Sequence, residues 1–196
     1  SGKTFHIDNV SKYFKRKKIS HIKVREPGGD KNSEKIRKLI LDKKSNFNKN
    51  TDLLLYIAAR SENIVNLKKN FRKKIILLDR FSDSTIAYQH FGMGVDLDFI
   101  RRINNHILRS FKVDFTFLSI VNIKNMRKRL KQRRRLNRYD KFKEKFYKKV
   151  QNGFLRISKN KRRYKIINSN LPIDLNKKII IDKIEKLVKW IYILIT

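Results

Sequence analysis

The sequence predicts a single α/β domain built on a largely parallel sheet, and three observations carry that prediction. Short apolar runs of strand length (residues 19–24, 75–78, 115–121 and 164–167) alternate with longer segments of helical periodicity. Ile75, Ile76, Leu77 and Leu78 are continuous rather than alternating, which suits a parallel strand covered on both faces. The 196 residues contain no repeat or linker and suffice to bury one full core.

The chain opens with Ser1-Gly2-Lys3-Thr4, the tail of the phosphate-binding loop G-x-x-x-x-G-K-[ST]. In that loop backbone N–H groups cradle phosphates, Lys neutralises them and Thr ligates Mg²⁺. Ile7, Val10 and Phe14 follow at helical spacing, as a loop-to-helix junction requires. Strand 19–24 delivers Arg25-Glu26-Pro27-Gly28-Gly29, where Pro and the glycines fix a tight turn and hold two charges in place. Arg25 and Glu26 there equally suit a surface pair.

Ser33 is expected to cap a short helix through Leu41, before a polar loop over 43–50. Thr51 or Asp52 then caps a helix whose buried face is predicted to hold Leu54, Ile57, Ala58, Ile64, Val65 and Leu67. Tyr56 and Arg60 lie one turn apart on it. They either point an aromatic plane and a planar donor at one object or snorkel at the core edge.

At Asp79-Arg80 the apolar run gives way to charge, and ligands of open parallel sheets sit outside the carboxyl ends of the strands. Thr85, Tyr88 and Gln89 fall at i, i+3 and i+4, so a helix starting after Ser82 places all three on one face. Gly92 and Gly94 break the chain, and a helix over 98–111 turns Ile100, Ile103, Ile107 and Leu108 inward. Helices are expected over 125–135, 142–158 and 171–196, the first entering the most basic segment, 128–140.

Lys and Arg number 51 against 17 Asp and Glu, a net charge of +34 that favours polyanions, although the richness in Lys, Asn and Ile also fits a compositional bias. No cysteine is present, which excludes disulfides and thiolate zinc sites. The four histidines are scattered without metal-ligand spacing. No apolar run reaches the roughly 18 residues of a membrane span, so a cytoplasmic protein is expected.

Taken as an ordered set, Ser1-Gly2-Lys3-Thr4, Arg25-Glu26-Pro27-Gly28-Gly29, Tyr56-Ile57-Ala58-Ala59-Arg60 and Asp79-Arg80-Phe81-x-x-Ser84-Thr85-x-Ala87-Tyr88-Gln89 resemble the thymidylate kinase family over essentially the whole chain. The resemblance implies a P-loop NTPase-type three-layer sandwich with a five-stranded, mainly parallel sheet, and phosphoryl transfer from ATP to thymidine monophosphate (dTMP) with Mg²⁺. Lys3 would hold the β/γ-phosphates, with Ser1, Gly2 and Thr4 completing the loop. Thr4 would ligate the metal and Asp79 would lie near it or its waters. Arg25 and Arg80 would grip the acceptor phosphate, Tyr56 would stack on thymine and Arg60 would bond its carbonyl. Thr85 and Gln89 would contact the base side, and Tyr88 would lie against the deoxyribose. A basic segment follows where the family has its lid, about residues 131–142. Arg133, Arg134 and Arg138 stand there, with Arg138 expected to close over the ATP phosphates. The family is typically a homodimer, and helices 51–69 and 98–111 offer an apolar face.

Three features depart from the family pattern: Ser119-Ile120-Val121-Asn122-Ile123 lacks an acid and a Pro, Asn137 stands where an acid is common, and Phe81 replaces a frequent Tyr. The family's first strand and the front of its phosphate loop would lie before Ser1. The chain is therefore expected to be a fragment, unstable and nearly inactive alone. Two other readings stay open: a kinase of another nucleotide, and a kinase-like fold that binds nucleic acid without catalysis.

Overall fold

The computed structural model describes residues 2–71, 73–132, 136–159 and 161–193. Helix α1 (Lys3–Arg16) leads to β1 (His21–Arg25), α2 (Lys31–Leu41), α3 (Lys49–Asn70) and β2 (Ile75–Asp79). A single turn, α4 (Ser82–Thr85), then runs into a π-helical segment (Ile86–Gly92). After it come α5 (Leu97–Leu108), β3 (Thr116–Ile120), α6 (Ile123–Lys131), a 3₁₀ turn (Arg138–Lys141), α7 (Glu144–Ser158), β4 (Tyr164–Asn168) and α8 (Ile173–Ile193).

The strands form two parallel pairs, β1 with β2 and β3 with β4. The five-stranded sheet is thus visible only in part. β2 has one strand neighbour among the described residues, and all five of its residues are half-buried where full cover had been expected. Alternate residues still face opposite layers. Ile75 and Leu77 join Phe117 and Ile167 against α1 and α8, in a core of Val10, Phe14, Ile180 and Ile184. Ile22, Val24, Ile76 and Leu78 turn the other way, onto Ile64, Leu67, Phe81 and Leu108 around α3 and α5. Helices therefore cover both faces of the strands.

Several caps differ from expectation. Asp30, one residue before α2, accepts the Asn32 N–H, while Ser33 lies inside the first turn and accepts from Gly28 N at 2.9 Å. Asn48 caps α3, which frees Asp52 for burial. The buried face of α3 is also rotated from the predicted one. Leu53, Ile57, Ala59, Ile64 and Leu67 face inward, whereas Leu54 and Val65 are 48% and 55% exposed. The cause is polar: Asp52, Arg60 and Asn63 occupy the inward face, so the apolar period alone points the wrong way.

The π segment packs on α7 through two glycines. A Cβ on Gly153 would stand 2.5 Å from Phe91 Cδ2 and 2.6 Å from Cγ, and one on Gly92 would stand 2.6 Å from Phe146. Gly153→Ala is expected to cost about 1–3 kcal/mol despite the better helix propensity of Ala. A lower urea midpoint at unchanged m-value checks this.

Candidate functional site

The parallel register sets Arg25 opposite Asp79, and the Glu26 N–H donates to the Asp79 carbonyl at 2.9 Å. The two charged strand ends read from the sequence therefore meet at one edge. Gly28 and Gly29, at φ 116° and 94°, turn the chain there in a conformation that other residues rarely adopt. The Gly29 N–H donates to Glu34 Oε1 at 2.8 Å, and Arg25 Nη2 reaches both oxygens of Glu34 at 3.0 and 3.1 Å.

Arg80 stands at φ 70°, a left-handed conformation uncommon for a non-glycine residue. Its guanidinium lies over the Tyr88 ring at 5.1 Å and donates to the Tyr88 hydroxyl at 3.3 Å. A third arginine, not recognised in the sequence, completes the group. Arg37 of α2 donates Nη1 to the Pro27 carbonyl at 2.5 Å, and burial together with the charges of Arg25 and Arg80 pushes its pKa down. Arg25 ends β1, Arg80 follows β2 and Arg37 on α2 lies near enough to feel both charges, and clustered guanidinium groups of this kind suit an anion. The available signal was position, because Arg37 lies one turn beyond Glu34 on the helix that follows the Pro-Gly-Gly turn.

Beside the arginines stand three phenols. Tyr139 meets Tyr56 and Tyr88 edge-to-face, with centroids 6.1 and 5.8 Å apart. Burial raises the pKa of Tyr56, which keeps it neutral. Arg60 lies one turn beyond Tyr56 on α3. It is 2% exposed, with Nε and Nη2 on Glu26 Oε2 at 2.9 and 2.8 Å and Nη1 on Asn104 Oδ1 at 2.6 Å. Phe81 lies under that guanidinium at 5.2 Å. Burial pushes the Glu26 carboxyl up and Arg60 opposes the shift. Glu26 Oε1 and Thr85 Oγ1 are buried without a hydrogen-bond partner among the described residues.

Thr85 and Gln89 are both buried, as a shared inward face requires, while Tyr88 is half-buried. The ladder past Thr85 is not α-helical, since Met93 N donates to the Tyr88 carbonyl five residues back. π segments of this kind are frequent at functional sites.

Arg138 is buried at the start of the 3₁₀ turn, paired with Asp52 and donating Nε to the Ile40 carbonyl at 3.1 Å. In this structure its guanidinium is engaged there. Asn137 and Asp140 form a capping box around the 3₁₀ turn, so Asn137 anchors that turn from the position where an acid is common in the family pattern. Arg133, Arg134 and Ser1 lie outside the described residues. Gly2 precedes α1 at φ 69°, Lys3 begins the helix and Thr4 is exposed in its first turn. α1 packs against β1 and β2, and Asp79 is half-buried at the end of β2.

A family model described as thymidylate kinase matches residues 1–180. The thymidylate kinase of Acholeplasma laidlawii is 36% identical over 190 residues, covering 95% of this chain and 94% of its own. That of Mesoplasma florum is 36% identical over 194 residues, covering 94% and 92%. The crystal structure of thymidylate kinase from Ehrlichia chaffeensis matches with a TM-score of 0.74 at 28% identity, covering 93% of this chain and 92% of that one. Strand-end arginines, a Gly-Lys-Thr helix start and matches of this extent lead to one conclusion: the chain belongs to the thymidylate kinase family.

Proposed function

We infer that the protein transfers the γ-phosphoryl group of ATP to dTMP, giving thymidine diphosphate for dTTP synthesis. The observation that carries this reading is the convergence of Arg25, Arg37 and Arg80 beside Tyr56, Tyr88 and Tyr139, an anion site joined to an aromatic pocket. Arg25, Arg37 and Arg80 bind the acceptor's phosphate. Tyr56 stacks on the base, Tyr88 lies along the deoxyribose, and Thr85, Gln89 and Arg60 face the base edge. A phosphate monoester has a second pKa of about 6 and arrives as a nucleophile, so no general base is needed. The transition state is loose and rich in charge, and catalysis is mostly positioning and positive potential.

Lys3 serves the ATP phosphates from the start of α1, with Gly2 and Ser1. The lid, about residues 131–142 of a single domain over 1–196, brings Arg133 and Arg134 to them. Arg138 stays paired with Asp52 at the base of that lid and holds it over the phosphates from there. The oxygen donors suit Mg²⁺, because Thr4 offers an exposed hydroxyl and Asp79 a half-buried carboxylate. No cluster of three or more His, Cys, Asp or Glu among the described residues could cage a metal, in keeping with an ion that retains waters and binds phosphate. Bound there, Mg²⁺ would neutralise charge on the phosphate oxygens.

A homodimer is supported by the stripe of Leu54, Ala58 and Val65 on α3 with Phe99 on α5, all exposed. No helix among the described residues is long and apolar enough to cross a membrane, and a cytoplasmic location is proposed. Non-specific polyanion binding is supported by the groove along α6, whose lining carries Lys124, Arg127, Lys128 and Lys131 against one acid, Glu144.

The test is ADP release from ATP and Mg²⁺ with a panel of nucleoside monophosphates. Turnover with dTMP is expected to exceed that with dCMP by about a hundredfold or more, since a buried polar pocket rejects a mismatched edge strongly. A folded protein that turns over no monophosphate, yet binds nucleic acid in a salt-dependent way, would move the reading to a non-catalytic binder.

A further inference from the structure

The carboxylate of Asp52 is fully buried, yet it belongs neither to the phosphate site nor to the pocket walls. Its Oδ2 accepts from the Tyr139 hydroxyl at 2.6 Å and from Gln89 Nε2 at 2.9 Å, and its Oδ1 is paired with Arg138. Arg138 in turn binds the carbonyl of Ile40 at the end of α2, with its guanidinium 5.2 Å from the Phe47 ring and 5.0 Å from that of Tyr139. One side chain on α3 thus gathers α2, the loop before α3, the π segment and the 3₁₀ turn at the base of the lid.

Each contact fixes something beyond itself. Because Gln89 gives an amide hydrogen to Asp52, its carbonyl is turned the other way. Because Tyr139 gives its hydroxyl hydrogen to Asp52, its ring is held edge-on against Tyr56 and Tyr88. Burial keeps the Tyr139 phenol protonated and so able to donate. A buried ion pair contributes little net stability over an apolar substitute, and its best-attested use is to specify one arrangement among several. The arrangement specified here is the seating of Arg138 and Tyr139, adjacent in the lid base, on the helix that carries Tyr56.

We propose that Asp52 is a positioning residue that couples the seating of the lid base to the shape of the nucleotide pocket, so that occupation of the ATP side tightens the acceptor side. This rests on the phosphoryl-transfer reading above. Coupling of this kind is a ratio of affinities, and typical ratios run from about 5 to 150.

The test measures the Kd of dTMP by calorimetry with and without a non-hydrolysable ATP analogue. In the unaltered protein the analogue is expected to tighten dTMP about tenfold. In Asp52→Asn the ratio is expected to fall to about one, with a tenfold drop in kcat. Tyr139→Phe keeps the ion pair and deletes only one O–H, so it stays testable if Asp52→Asn fails to fold. Its ratio is expected to fall about threefold. A purely structural role would lower the melting temperatures and leave the ratios intact. Retention of the unaltered ratio by the folded variants, or a ratio of one in the unaltered protein, overturns the inference alone. Absence of dTMP turnover in the unaltered protein overturns the functional reading and this inference with it.

Discussion

Arg80→Gly is expected to lower kcat/KM for dTMP about a thousandfold while leaving the melting temperature within about 4 °C of the unaltered protein. The two halves of that result have separate causes. Removing one partner of a close charge pair costs on the order of 2–5 kcal/mol of binding or transition-state energy, and Arg80 stands where the acceptor phosphate is read to sit. Stability responds differently because Arg80 holds a φ of 70°. A non-glycine residue there carries about 1–3 kcal/mol of backbone strain, which glycine releases. Against this stand the lost contact with the Tyr88 ring, about 0.5–1 kcal/mol, and the greater chain entropy of glycine, of similar size. The opposing changes nearly cancel. Arg80→Lys keeps the charge but loses the planar fork, and falls between the two in activity. Steady-state kinetics and calorimetry on the same preparations separate the effects. Activity of Arg80→Gly within tenfold of the unaltered protein would remove Arg80 from the phosphate site.

The strand ends were legible because an apolar run that stops at a charge has one simple meaning in a parallel sheet. Asp79-Arg80 reads that way, Arg25-Glu26 reads as two charges held by the Pro-Gly-Gly turn after an alternating strand, and the register places them side by side. Residues whose burial is polar were not legible. Asp52 looked like a helix cap because it opens a helix after a polar loop, and only the fold shows that Asn48 caps and Asp52 is interior. The apolar period of α3 misled for the same reason, since its inward face also carries Arg60 and Asn63. Arg37 was hidden by composition. Among 51 Lys and Arg no single helical arginine stands out until its neighbours are known. The spacing of Thr85 and Gln89 was read at the α-helical period, and both are buried although the following turns are π-helical, a widening with no sequence signature of its own.

Glu26→Gln is expected to destabilise the protein by about 3–5 kcal/mol, because it leaves the Arg60 guanidinium buried without its counter-charge. Against a total of about 5–15 kcal/mol for an ordinary domain, that is a large loss. Breaking the pair and replacing it are different experiments. The pair is imperfect as it stands, since Glu26 Oε1 has no hydrogen-bond partner among the described residues. Exchanging both residues for apolar ones of similar size, Glu26→Leu with Arg60→Met, removes two buried charges together and is often neutral or stabilising. Here it also strips Asn104 Oδ1 of its donor, which costs about 1–3 kcal/mol. The double variant is therefore expected to melt near the unaltered protein. If Arg60 faces the thymine edge, the restored fold does not restore function, and kcat/KM for dTMP stays about a hundredfold low. Urea unfolding of the single and double variants, followed by kinetics on the double, reads both steps. A single variant as stable as the parent would mean that burial outweighs Arg60 and Glu26 already carries a proton in the fold, in the direction its raised pKa points. The recovery of stability without activity is the signature of a core pair that also serves the pocket above it.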